Sequence, residues 1–157
     1  MQELKANIQI NGFTVVITEG VSLFFSASQE NIARLMSLDD KNSVLNGMLE
    51  RAERALKPIE ARIQKSINEN SFDKEAVNES IQTQAKFARE LYDYIYGVGT
   101  FESLYSKIHD VSFWLENVEE IFRITLRGLE AEGKARKRRV LEAQKKYINK
   151  KNRRRKR

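Results

Sequence analysis

The sequence predicts a mainly α protein of the α+β class, with an N-terminal β-hairpin packed on a body of four or five helices and a basic helical C-terminal extension. Three observations predict this architecture. The apolar residues recur with a period near two up to residue 25 and with a period near 3.6 after Ser26. The last 25 residues are strongly basic. We therefore expect one domain at 1–132, divided into a hairpin region at 1–25 and a helical body at 26–132, and a basic tail at 133–157.

The predicted hairpin is based on two β-rich runs, Ile8–Ile10 and Phe13–Ile17, on either side of Asn11-Gly12. Asn-Gly is the preferred pair for a two-residue type I′ turn, because both central residues need a positive φ. A third apolar run, Val21–Phe25, follows the break at Gly20 and is compatible with a short third strand. Two or three strands alone are marginally stable, so this sheet must pack on helices or pair with another copy.

The first two predicted helices follow Ser26. A short helix is capped by Ser28, and a longer one begins near Leu45 and ends at the polar break that starts at Asn68. Pro58 lies inside the longer helix and should kink or restart it. The longer helix carries an amphipathic stripe of Leu45, Leu49, Ala52, Leu56, Ile59, Ile63 and Ile67.

Three further helices follow. Asp73 is the predicted N-cap of a helix that ends at a turn containing two glycines, Thr100 begins a short helix, and Asp110 begins the last one. We expect one core around the two-glycine turn, built from Leu91, Ile95, Phe101, Leu104 and Phe122. The predicted turn and core residues of the whole chain are Asn11, Gly12, Tyr96, Gly97, Gly99, Thr100 and Phe101.

The charge is divided unequally along the chain. Residues 133–157 carry 14 Lys and Arg against one acid, Glu142, and so sum to +13, whereas residues 1–132 carry 14 bases and 21 acids and sum to −7. A block of like charge is usually a solvated interaction arm. The predicted partner-binding residues are therefore Lys134, Arg136, Lys137, Arg138, Arg139, Lys145, Lys146, Lys150, Lys151, Arg153, Arg154, Arg155, Lys156 and Arg157.

Three kinds of partner fit such a tail. Nucleic acid would be bound through phosphate contacts, although the acidic body would repel the same polyanion. An anionic membrane would be held weakly, because the tail has few apolar anchors, and we expect no membrane partner. An acidic protein is the third, and it includes another copy of this chain, because a −7 body and a +13 arm are suited to head-to-tail association.

The sequence offers little for catalysis. There is no cysteine and one histidine, His109, so we expect no metal site, no cofactor and no enzymatic activity. Gly97-Val98-Gly99 lacks the remaining residues of a phosphate-binding loop and is typical of a helix C-cap. Neither a signal peptide nor an apolar run long enough to span a bilayer is present, and we expect a cytoplasmic protein.

The segment Leu91–Tyr105, LYDYIYGVGTFESLY, resembles the FD.iFG.GT…iFG segment of small tail-assembly chaperones of phages that infect Gram-positive bacteria. The order of features is similar too, with an Ile-Asn-Gly hairpin in front and a very basic tail behind. The chain departs from that pattern where Tyr105–Lys107 replaces the second Phe-Gly. The resemblance implies a non-enzymatic protein that oligomerises around or coats a long helical tape-measure protein in the bacterial host cytoplasm. The alternative is a nucleic-acid-binding accessory protein acting through its tail.

Overall fold

The computed structural model describes Glu3, residues 11–37 and residues 44–155. This part of the chain is mainly helical, with one N-terminal hairpin, as the sequence predicts. It contains six helices rather than four or five, because the last predicted helix is divided in two. The elements are β1 (Gly12–Thr18), β2 (Val21–Ser26), α1 (Gln29–Ser37), α2 (Val44–Asn68), α3 (Lys74–Tyr96), α4 (Thr100–Lys107), α5 (Val111–Glu116) and α6 (Val118–Arg155).

The hairpin turns at Glu19-Gly20 and not at Asn11-Gly12, so the predicted turn is wrong. β1 and β2 are antiparallel, and Gly20 has the positive φ of 76° that the two-residue loop needs. Gly12 instead lies in β1 opposite Ser26, and the Asn11 carbonyl accepts a hydrogen bond from the Ala27 N–H at 2.8 Å. The third apolar run is thus the second strand, and the predicted strand Ile8–Ile10 lies outside the described residues.

Gly12 is needed for close approach between the strands rather than for a left-handed backbone. A Cβ atom built on it would lie 2.2 Å from the Phe25 carbonyl oxygen and 2.4 Å from Cζ of Phe24. A glycine that follows Asn therefore serves cross-strand packing here, and this is why the sequence pattern indicated a turn in the wrong place.

α1 and α2 begin and pack much as the sequence predicts. The Ser28 hydroxyl accepts a hydrogen bond from the Asn31 N–H at 3.2 Å, and Leu35 is fully buried. The apolar stripe of α2 is buried or half-buried as far as Ile63, but Ile67 is 57% exposed, so the stripe ends before the helix does.

Of the two predicted effects of Pro58, a kink or a restart of the helix, the restart is wrong, because α2 continues through Pro58. Proline removes the hydrogen bond to the carbonyl four residues earlier, which here is that of Arg54. Arg54 and Pro58 are both exposed, so the carbonyl that loses its donor lies on the solvent side of the helix.

The turn between α3 and α4 accounts for the most distinctive segment of the sequence. Gly97 and Gly99 have φ values of 107° and 91°, which residues with a Cβ atom rarely adopt. The Asp93 carboxylate accepts a hydrogen bond from the Phe101 N–H at 3.0 Å, and the Thr100 hydroxyl donates to the Gly97 carbonyl at 2.7 Å. The segment therefore forms a tight joint between α3 and α4, in which the side chain of Asp93 in α3 caps the N-terminus of α4.

The last predicted helix is interrupted at Asn117, which separates α5 from α6. Asp110 caps α5 as predicted, through a bond from the Phe113 N–H to its carboxylate. The side chain of Asn117 donates to the Phe113 carbonyl at 2.7 Å and ends α5 after six residues. This break turns Trp114 into the core, where it is fully buried and donates from Nε1 to the Ile108 carbonyl.

One hydrophobic core joins the hairpin to the helices, and the five predicted core residues around the two-glycine turn are all within it. Their exposed fractions are 1–3%. Tyr92 lies at the centre, with its ring in contact with the rings of Tyr96, Phe101, Trp114 and Phe122. The aromatic cluster is thus core and not an exposed stacking surface.

Candidate partner-binding surface

The C-terminal half of α6 is an exposed basic helix that continues directly from the core. Val118, Ile121 and Phe122 at its start are buried, and Leu129 is the last residue of α6 that packs against the core. From Gly133 to Arg154 every side chain that the structure describes is exposed. At 1.5 Å per residue, the helix from 133 to 155 extends about 34 Å. The helix continues as far as Arg155.

The exposed helix carries a large net charge. Residues 133–155 hold 12 bases and one acid, Glu142, and so sum to +11. Among the residues that the structure describes, no side chain from 133 to 154 makes a hydrogen bond or an ion pair. The acids at the start of α6, Glu119 and Glu120, and the bases at its end both compensate the helix dipole.

Repulsion between neighbouring bases nevertheless destabilises this helix. Lys146 and Lys150 are four residues apart, as are Lys150 and Arg154, and such pairs repel by a few tenths of a kcal/mol each. No tertiary contact of the described chain offsets that repulsion beyond Leu129. A partner that neutralises the bases would therefore stabilise the helix as well as bind it.

The large apolar residues of the exposed helix lie on one face, which we name the tail seam. At 100° per residue its members cover about 120° of the circumference. The four apolar members are 51%, 49%, 69% and 55% exposed, in chain order. The tail seam consists of Val140, Leu141, Gln144, Tyr147 and Ile148.

A second surface feature lies on the body, between α2 and α5, and we name it the α2–α5 groove. It has a volume of about 380 Å³. Its apolar floor is formed by Leu49, Ala52, Leu56 and Leu115. The exposed residues along its α2 rim are Glu53, Lys57 and Glu60.

A larger depression of about 590 Å³ lies at the turn between α2 and α3, and one of its bases, Arg62, is already paired. Arg62 donates to the Glu79 carboxylate at 2.7 Å and lies 4.0 Å from Asp73. Lys65 and Lys74 also line the depression and form no ion pair with a described residue, but they are two charges against the +11 of the basic helix, so the depression offers less to an anionic ligand.

Two tyrosines of α3, the buried Tyr92 and the partly buried Tyr96, hold α5 and the base of α6 against α3. The Tyr92 hydroxyl donates to the Trp114 carbonyl. The Tyr96 hydroxyl donates to Oγ1 of Thr125, since the single hydrogen of that threonine is directed to the Ile121 carbonyl. Burial raises the pKa of both tyrosines well above the ordinary value of 10.0. They therefore fix the direction in which α6 leaves the body.

The candidates for catalysis are not assembled into a site in the described chain. His109 is exposed, and its ring contacts that of Tyr105 with the centroids 5.2 Å apart. Within residues 11–37 and 44–155, no three histidine or carboxylate side chains gather closely enough to hold a metal ion.

The structure brings the predicted partner-binding residues together on one helix but keeps them away from the predicted turn and core residues. Tyr96, Gly97, Gly99, Thr100 and Phe101 build the α3–α4 joint, and their role there is structural. Lys156 and Arg157 lie outside the described residues. Sequence reasoning missed the tail seam, although its signal was present as apolar residues spaced i, i+1, i+7 and i+8. It also missed the α2–α5 groove, which depends on how two helices pack.

None of the helices in the described ranges combines the length and apolar character that crossing a membrane requires. Comparisons of the chain with protein-family models, with curated proteins and with solved structures find no match.

Proposed function

We propose that this chain is a non-enzymatic tail-assembly chaperone of a phage that infects Gram-positive bacteria. In this role it oligomerises around, or coats, the long helical tape-measure protein in the host cytoplasm. The observation that carries the proposal is the exposed helix at 133–155, which sums to +11 and whose described side chains bind nothing in their own chain.

The form of this helix favours a protein partner. Bases attract an acidic surface and accelerate the encounter with it, but they define little of the bound geometry. The tail seam adds apolar side chains at helical spacing, which is the pattern by which one helix binds a groove or another helix. Charge and apolar anchors on one helix are what binding to a long amphipathic protein requires.

The joint at Leu91–Tyr105 supports the proposal in a second way. The resemblance to the chaperone family lies in this segment, and here its aspartate, two glycines and threonine form the turn that seats Phe101 in the core. The resembling residues therefore define a framework. The partner-binding role falls to the basic helix that this framework holds.

Nucleic-acid binding is the alternative, and one observation favours it. The bases are distributed around the whole circumference of the exposed helix, which suits contacts with phosphates and gives no reading of base sequence. The tail seam would then stay unused, and the −7 body would repel the same polyanion.

Co-expression with the neighbouring genes, followed by pull-down through a tag on the body, tests the proposal. The matched control lacks Lys145–Arg157. We expect nuclease-treated full-length protein to capture a very long coiled-coil protein and the truncated chain to capture much less of it. Capture of DNA or RNA that resists nuclease and high salt, with no such protein, would reject the proposal in favour of the alternative.

A further inference from the structure

We infer that the tail seam of one copy docks in the α2–α5 groove of a second copy, so that the chain associates head to tail. This contact would be the one through which the chain oligomerises, so the inference rests on the proposed function. The chain carries both halves of the contact: an exposed apolar face on a basic helix, and an apolar groove whose rim carries two acids and one base.

The two surfaces match in length. The groove follows α2 from Leu49 to Glu60, eleven residues or about 16 Å. The tail seam runs from Val140 to Ile148, eight residues or about 12 Å. A helix of that length can therefore lie along the groove with its four apolar side chains directed at the floor.

The charges match in spacing. Glu53 and Glu60 are seven residues apart on the groove rim, and neither forms an ion pair with any residue that the structure describes. Arg138 and Lys145 are also seven residues apart, and they lie on the same side of the tail seam. Both pairs are separated by about 10 Å along their helices, so one register can place each base beside one acid.

The occupant of the groove must come from a different molecule. Val140 lies eleven residues, or about 16 Å, beyond Leu129 on one continuous helix, so the tail seam cannot reach its own body unless α6 breaks. Two tail seams cannot cover each other either, because each lies on a helix of +11. The body of a second copy, at −7, has the opposite sign.

Such a contact joins two different surfaces and leaves one of each free at the ends of a pair. Contacts of this kind continue into rings when the rotation closes and into open helical arrays when it does not. The groove floor is already largely buried, with Ala52 3% and Leu56 8% exposed. The contact is therefore expected to be weak and dependent on salt.

Charge exchange on the purified full-length chain tests the inference, with sedimentation velocity at low salt as the measurement. Wild type should associate as its concentration rises. Glu53→Lys/Glu60→Lys and Arg138→Glu/Lys145→Glu should each weaken association about tenfold, because two attractions become repulsions. The chain with all four substitutions, which keeps the wild-type net charge, should regain it.

The matched control is Lys146→Glu/Arg153→Glu. These bases are also seven residues apart but lie on the side of the exposed helix opposite the tail seam, and reversing them changes the net charge equally. The control should associate at least five times more tightly than Arg138→Glu/Lys145→Glu. Leu141→Gln/Ile148→Gln should also weaken association, and its unfolding curve should match that of wild type because these side chains pack on nothing in the described chain.

Three results would overturn the inference: a wild-type chain that stays monomeric, a groove variant that associates like wild type, or a control as weak as Arg138→Glu/Lys145→Glu. Each of these results would count against self-association alone, because capture of the tape-measure protein is measured separately by co-expression. Failure of capture, in turn, would leave the sedimentation result standing.

Discussion

Replacing Gly128 with alanine should loosen the contact between the β-hairpin and α6. A Cβ atom at this position would lie 2.5 Å from Cε2 and 2.9 Å from Cζ of Phe13, whereas carbon atoms in contact sit about 3.5–4.0 Å apart. The Phe13 ring must therefore move by about 1 Å. It packs against the ring of Phe25, which is fully buried, with the centroids 5.5 Å apart.

The magnitude follows from two opposing effects. Alanine in place of glycine in a helix interior stabilises by about 0.5–1 kcal/mol. Overpacking of a filled site costs about 1–3 kcal/mol. Gly47→Ala is the matched control, because it makes the same change in α2 where nothing lies within 4 Å of the new Cβ. The difference in the free energy of unfolding between the two variants should equal the overpacking cost.

Urea unfolding followed by circular dichroism measures that difference, and thermal unfolding checks it at about 2–4 °C for each kcal/mol. Gly47→Ala should be more stable than wild type and Gly128→Ala less stable than Gly47→Ala by about 1–3 kcal/mol. If the two variants were equally stabilised, Phe13 would not lie against Gly128 and the hairpin would be packed differently.

Three further outcomes are expected. Phe101→Ala should lose about 3–5 kcal/mol of stability in urea, and Phe122→Ala a similar amount, because both side chains are buried in the core; a loss below 1 kcal/mol would contradict that packing. Gly12→Val should lose about 1–3 kcal/mol through the clash with the Phe25 carbonyl, and unchanged stability would argue against the register of the hairpin. Burial raises the pKa of Tyr92 and Tyr96. The stability that they contribute should therefore be complete below about pH 10, and the free energy of unfolding should fall above it by about 1.4 kcal/mol per pH unit for each tyrosine. A free energy of unfolding that stays constant to pH 12 would show that these hydroxyls are not buried.

Local signals in the sequence were sufficient where one side chain determines one feature. Asp73 and Asp110 cap their helices because a short carboxylate at the first position can accept the free N–H groups of the next turn. The two glycines after Tyr96 end α3 because a positive φ is costly for other residues. Those predictions needed no knowledge of distant contacts.

The features that were predicted wrongly or missed depend on partners far away in sequence. Gly12 packs against β2, and the identity of that neighbour is not encoded beside it. The break at Asn117 accompanies the burial of Trp114 against Tyr92, which lies 22 residues earlier. The α2–α5 groove arises only when Leu115 is placed beside α2. For the basic helix, charge alone was enough to predict its location, but the face that we propose for binding could be identified only from the helical geometry.

The salt dependence of partner capture, measured with and without Lys145–Arg157, tests the central claim most directly. The deletion removes nine bases and no acid and takes the chain from +6 to −3, yet it removes no residue that packs in the core, so the body should stay folded. Full-length protein should capture its protein partner strongly at 0.1 M salt and weakly at 1 M, where the Debye length falls from about 10 Å to about 3 Å, and the truncated chain should capture little at either. The account is contradicted if the truncated chain captures the partner normally while the full-length protein binds a defined DNA or RNA site tightly at physiological salt.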